Sequence, residues 1–137
     1  MALYEIKVHY QRQTGEDTPG KVKETYIVEG INCSDVENRL LRELKPFISG
    51  DHEVVSCKQV RIYDIFPKED GHFWFQARVE LITIDGDKEI RRVVSVLIQD
   101  ISIAEALKNL NIQLSAIDFE LISLTKSPIM DVINAVR

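Results

Sequence analysis

The chain has 137 residues, 45% of them apolar and 28% charged, with a formal net charge of −5. That length fits one domain, or two very small halves fused into one, and the apolar share allows a core of normal size. A net acidic chain does not draw nucleic acid to its whole surface, although a local basic face remains open to it.

The first residues, Met1-Ala2-Leu3-Tyr4-Glu5, lack the basic start and apolar block of a secretory leader. No apolar run approaches the roughly 20 residues that span a bilayer, so no membrane partner is expected. Tyr4, Ile6, Val8 and Tyr10 alternate with Glu5, Lys7, His9 and Gln11, the period of a strand with one buried face. Arg12 to Gly20 is a polar loop with turn residues. Lys21 to Val28 resumes as a strand, which makes a hairpin with a long tip.

A helix is expected next. Ser34 and Glu37 have capping-box spacing, with Asn32 as the rival cap. Val36, Leu40, Leu41 and Leu44 form its apolar stripe, while Glu37, Arg39, Arg42 and Glu43 face out. Pro46 ends or distorts it, because proline lacks an amide donor and restricts the residue before it. Ser49-Gly50-Asp51 turns the chain, and Glu53 to Phe66 is read as one extended stretch.

Pro67-Lys68-Glu69-Asp70-Gly71 is the clearest linker. Beyond it Phe73, Phe75, Ala77, Val79 and Leu81 share one strand face, opposite Trp74, Gln76, Arg78 and Glu80. Asp85-Gly86 signals a tight hairpin, and Lys88 to Ile98 returns. Ser102 and Glu105 fit a second capping box, before a helix with Ile103, Ala106, Leu107, Leu110 and Leu114 inward. Phe119 to Thr125 is a last strand, and Pro128 opens a short tail.

The two halves read as copies. Val28 to Leu44 runs parallel to Ile98 to Leu114 at an offset of 70 residues, and Ile62 to Phe66 matches Ile129 to Ile133 at an offset of 67. We therefore expect one α+β domain over residues 1–137, built from two tandem strand-strand-helix-strand repeats. Repeat 1 covers 1–66 and repeat 2 covers 72–133. About six strands and two helices with pseudo-twofold symmetry follow, because a lone three-stranded sheet under one helix is marginal.

Chemistry is less legible. No phosphate loop, nucleophile elbow, paired metal histidines or close cysteine pair occurs, so neither an enzyme activity, a cofactor nor a metal is expected. His9, His52 and His72 are far apart in sequence and read as exposed side chains. Cys33 and Cys57, without a leader, read as free reduced thiols in a cytoplasmic chain. Asp64 and Asp131 occupy matching positions, where a carboxylate binds neighbouring backbone amides more often than it forms a functional pair.

Lys7 corresponds to Arg78, and Lys21 to Arg91. Lys7, Arg78 and Arg91, with Trp74 as a stacking surface, are the candidate ligand-binding residues for a small anion such as a nucleotide, or for nucleic acid. Glu5, Glu24, Glu80 and Glu89 sit nearby and compete as partners for these cations. The long first loop, with Gln13, Glu16 and Asp17, is the local candidate for capture of a protein partner. A protein partner or self-association is favoured over a small anion, and nucleic acid is favoured least.

Lys45-Pro46-Phe47-Ile48-Ser49-Gly50, the stretch Ile62 to Pro67, Trp74-Phe75 and Ile129-Met130-Asp131-Val132 occur in an order and spacing that resembles an uncharacterised domain-of-unknown-function family. That family is found in gut Bacteroidetes bacteria and their bacteriophages. The tail Ile133-Asn134-Ala135-Val136-Arg137 departs from the aromatic ending of its members. The resemblance implies association with a phage or mobile element, hence the host cytoplasm, and it carries over no activity or catalytic residue. A small binding or accessory protein without enzyme activity is the expectation.

Overall fold

A computed structural model of the chain describes residues 2–12 and 20–133. They divide into two compact units, the first formed by Met1–Val60 with Pro128–Arg137 and the second by Arg61–Ser127. The loop residues Gln13, Glu16 and Asp17 lie outside the described residues.

In the first unit, strands β1 (Ala2–Arg12) and β2 (Gly20–Gly30) form an antiparallel hairpin. Their register sets Tyr4 opposite Val28, Ile6 opposite Tyr26, Val8 opposite Glu24 and Tyr10 opposite Val22. Opposed residues share a face, so alternation in both strands produces one apolar surface. Helix α1 (Cys33–Leu44) covers that surface with buried Val36, Leu40 and Leu44. Each such side chain contributes about 1.5–3 kcal/mol relative to exposure. Its N-cap is Asn32, whose Oδ1 accepts from the Asp35 N–H at 2.9 Å, and Asp35 in turn accepts from the Ile31 N–H. The rival cap therefore prevails over Ser34. The bond from Ile31, assisted by the Arg39 guanidinium, holds the Asp35 carboxyl below its ordinary pKa.

Pro46 converts the end of α1 into a 3-10 turn, Lys45–Phe47, and edge strand β3 (Ile48–Val60) pairs antiparallel with β1. The turn expected at Ser49-Gly50-Asp51 is instead an irregularity inside β3: the register slips between Tyr10 and Arg12, and Gly50 takes φ 94°. A left-handed residue there admits extra chain without ending the strand.

The second unit repeats these connections with different residues. Strands β5 (Phe73–Asp85) and β6 (Lys88–Asp100) make a long hairpin, helix α2 (Ile103–Gln113) follows, and edge strand β7 (Phe119–Lys126) pairs with β5. Ser102 caps α2, its Oγ accepting from the Glu105 N–H at 3.2 Å. Phe75, Ala77, Val79 and Leu81 face Ala106, Leu110 and Leu114 in one cluster. Gly71 lies so close to β6 that a Cβ would meet the Asp100 amide nitrogen at 2.9 Å. The Asp100 carboxylate is fully buried, and its Oδ1 accepts from the Ile101 N–H at 2.8 Å and from Lys68 Nζ at 3.3 Å.

Three expectations are corrected. Among the described residues there are eight strands, in two sheets, where about six were expected. The run from Glu53 to Phe66 breaks after Val60, leaving β4 (Asp64–Phe66) as a separate strand, and the tail forms β8 (Ile129–Ile133). The short strands also change sides. β4 joins the second unit beside β6 and β8 joins the first beside β2, both in parallel, giving the orders β3-β1-β2-β8 and β4-β6-β5-β7. Local periodicity specifies a strand but not which of two similar sheets it completes.

The third correction concerns the thiols. Cys33, at the first position of α1, and Cys57, on β3, are joined in a disulfide with their Cα atoms 6.1 Å apart. The two cysteines therefore no longer argue for a reducing compartment. Among the described residues, no helix is long and apolar enough to cross a membrane.

The disulfide closes a loop between residues 24 apart in sequence. Loop-closure entropy assigns it about 3.5 kcal/mol of stabilisation. Urea unfolding of the Cys33→Ser/Cys57→Ser variant is expected to show a loss of that size, and added reductant is expected to lower wild-type stability but not the variant's.

Candidate functional site

The face of the first sheet turned away from α1 buries Ile27 but is exposed at one end, where it carries the basic residues. β1 contributes Lys7, His9 and Gln11, and β2 contributes Lys21, Lys23 and Thr25. Lys7 stands opposite Thr25, His9 opposite Lys23 and Gln11 opposite Lys21, so three lysines gather at one end of two adjacent strands. All three are exposed, and none forms an ion pair among the described residues. β3 supplies Asp51 and Glu53 at the margin, where they line a cleft of about 230 Å³ with His9, Gln11 and Lys21.

The matching positions of the second sheet differ. Arg91 is held by three carboxylates: Glu80 at 2.8 Å, Glu89 at 3.3 Å and Glu120 at 3.5 Å. Hydrogen bonds that its guanidinium donates to Glu80 first, then to Glu89, raise its pKa further, so its charge is spent within the sheet. Arg78 is exposed on the same face and forms no ion pair among the described residues. Trp74 is buried at 3% exposure, so its ring is closed to a stacking ligand. Its indole N–H has no hydrogen-bond partner among the described residues. Of the four predicted ligand residues, Lys7 belongs to the first unit, while Trp74, Arg78 and Arg91 belong to the second. Within the second, Arg78 and Arg91 share a face, but only Arg78 keeps an uncommitted charge.

Asp64 and Asp131 behave alike. Each carboxylate accepts from the next residue's N–H at 2.8 Å, Ile65 in one case and Val132 in the other. Among the described residues, no three His, Cys, Asp or Glu side chains gather as metal ligands would.

A polar cluster lies on the helix side of the first sheet. Glu24 is buried, and its Oε1 accepts from the Tyr10 hydroxyl at 2.5 Å and from the Tyr26 hydroxyl at 3.0 Å. Arg12 Nη1 donates to the Tyr10 oxygen at 3.0 Å and lies 3.4 Å from Glu24 Oε2. Burial, then the Glu24 carboxylate, pushes the Tyr10 phenol up to about 12, and the same causes push Tyr26 up as well. Both phenols stay protonated and point at one carboxylate oxygen. The cluster is thus a clamp across the hairpin and offers no free base. Glu24 was expected beside the cations as one of their neutralising partners, and the structure instead buries it on the helix side, in phase with Val22, Tyr26 and Val28.

On the same side, a cavity of about 590 Å³ is lined by Asn38, Leu41, Arg42, Lys45, Ile48 and His52. Leu41, expected in the core stripe, is only half-buried and forms part of its wall. Arg42 reads in sequence as a solvated helix residue. Nothing local announced that β3 would bring Ile48 and His52 beside it.

The profile of the family Domain of unknown function (DUF4494) matches residues 2–135. No curated protein and no solved structure matches the chain.

Tyr10 ionises in the unfolded chain near its ordinary value of 10.0 and in the fold at about 12. A raised folded pKa gives stability that is fully present below the unfolded value and is lost as pH rises through the folded one. Ultraviolet phenolate titration is expected to show late-ionising tyrosines, with stability falling between these two pH values. Glu24→Gln is expected to lower the Tyr10 midpoint by removing the neighbouring negative charge.

Proposed function

The chain belongs to the DUF4494 family, and from that premise we propose that it is a small, non-enzymatic binding protein. Its first unit presents the basic open face of its sheet to an acidic protein surface. The observation that carries this reading is the set Lys7, Lys21 and Lys23, three exposed ammonium groups without ion-pair partners among the described residues, in a chain of net charge −5. In the second sheet the comparable Arg91 is neutralised by its own glutamates. Charges left unpaired on a rigid sheet steer and orient an acidic partner.

An accessory role for a phage or mobile element rests on sequence resemblance alone. Duplication of one ancestral strand-strand-helix-strand segment is supported by the matching order of connections in the two units, followed by an exchange of the short fourth strands.

Polyglutamate and a single-stranded oligonucleotide serve as probes. Polyglutamate is expected to bind more tightly at low salt, with affinity falling as salt rises. The Lys7→Ala/Lys21→Ala/Lys23→Ala variant is expected to lose at least about tenfold in affinity. Tighter retention of the oligonucleotide than of polyglutamate transfers the reading to nucleic acid. Unchanged binding by the variant removes the face from consideration.

A further inference from the structure

We infer that the cavity between α1 and β3 is a binding site for a small organic anion, with one phosphate or carboxylate head on an apolar body. It lies on the helix side of the first sheet and does not depend on the open-face lysines, although His52 lines both the cavity and the neighbouring cleft.

The lining is selective. Arg42 and Lys45 supply two fixed positive charges, His52 a ring nitrogen and Asn38 an amide, and among the described residues the lining contains no carboxylate. Leu41 and Ile48 provide the apolar wall. The volume of about 590 Å³ falls within the roughly 300–1,000 Å³ of small-molecule sites. Basic residues at a helix C-terminus also complement its dipole, but that dipole equals only about half a negative charge, against two cations here. Neither Arg42 nor Lys45 has an ion-pair partner among the described residues. A guanidinium and an ammonium on adjacent turns of chain suit the oxygens of one anionic head.

The walls are held in place before any ligand arrives. The Cys33–Cys57 disulfide ties the start of α1 to β3, the two elements that contribute the lining. At the other end of α1, the Arg12 guanidinium lies 4.6 Å from the centre of the Phe47 ring, and Leu44 is buried beneath the helix. A site fixed at both ends loses little freedom on binding.

Calorimetric titration with phenyl phosphate and phenylacetate tests this, with inorganic phosphate as the head alone and benzyl alcohol as the body alone. At least one organic anion is expected to bind saturably and at least about tenfold more tightly than either fragment. The Arg42→Gln/Lys45→Gln variant keeps aliphatic stems in place and is expected to weaken that binding at least about tenfold, with thermal melting nearly unchanged. The Lys21→Ala/Lys23→Ala variant, on the other face, is expected to bind as the wild type does. Absence of saturation by either organic anion up to about 10 mM overturns the inference. So does equal binding of inorganic phosphate and phenyl phosphate, or loss of binding in the lysine variant but not in the Arg42/Lys45 variant.

Discussion

A single helix has to shelter a sheet much longer than itself. The 12 residues of α1 span about 18 Å, whereas the 11 residues of β1 span about 36 Å. The first hairpin is therefore about twice as long as the helix that packs on it. The rest of its apolar face must be closed by other means, and the polar clamp and the cavity both arise from this shortfall.

The clamp is one solution. Tyr10, Glu24 and Tyr26 stand side by side on the helix face, with Arg12 completing the hydrogen bonds. A lone buried carboxylate would be costly, but two hydroxyl donors and a guanidinium satisfy it and lock the hairpin register. The 3-10 turn is the other solution. Pro46 tightens the chain after α1, which lets Phe47 meet Arg12 and starts β3 back along β1. The space left between helix and edge strand is the cavity, and the disulfide spans the same two elements.

Charge is divided unevenly between the two sheets. The glutamates of the second sheet absorb Arg91, while the first leaves Lys7, Lys21 and Lys23 without ion-pair partners among the described residues. Sequence offset treats Lys7 and Arg78, or Lys21 and Arg91, as equivalents. Their electrostatic roles depend on what lies across the strand, and Glu120 reaches Arg91 only because β7 is folded beside β5.

Both hairpins, both helices and most of their inward-facing residues follow from the sequence, because periods of two and 3.6 are local properties of the backbone, but Phe73, Ile103 and Leu107, read as inward, are exposed, and Glu24, read beside the cations, is buried. Ser102 was legible as a cap, whereas Asn32 and Ser34 were competing choices that only local geometry separated. Tertiary structure alone decided that β4 and β8 would complete opposite sheets, that Cys33 would meet Cys57, and that Arg42 and Lys45 would share a cavity with His52. Each of those outcomes brings together groups far apart along the chain. Local propensity carries no term for such pairings: they are selected by which packing buries the most apolar surface while leaving the fewest polar groups unsatisfied.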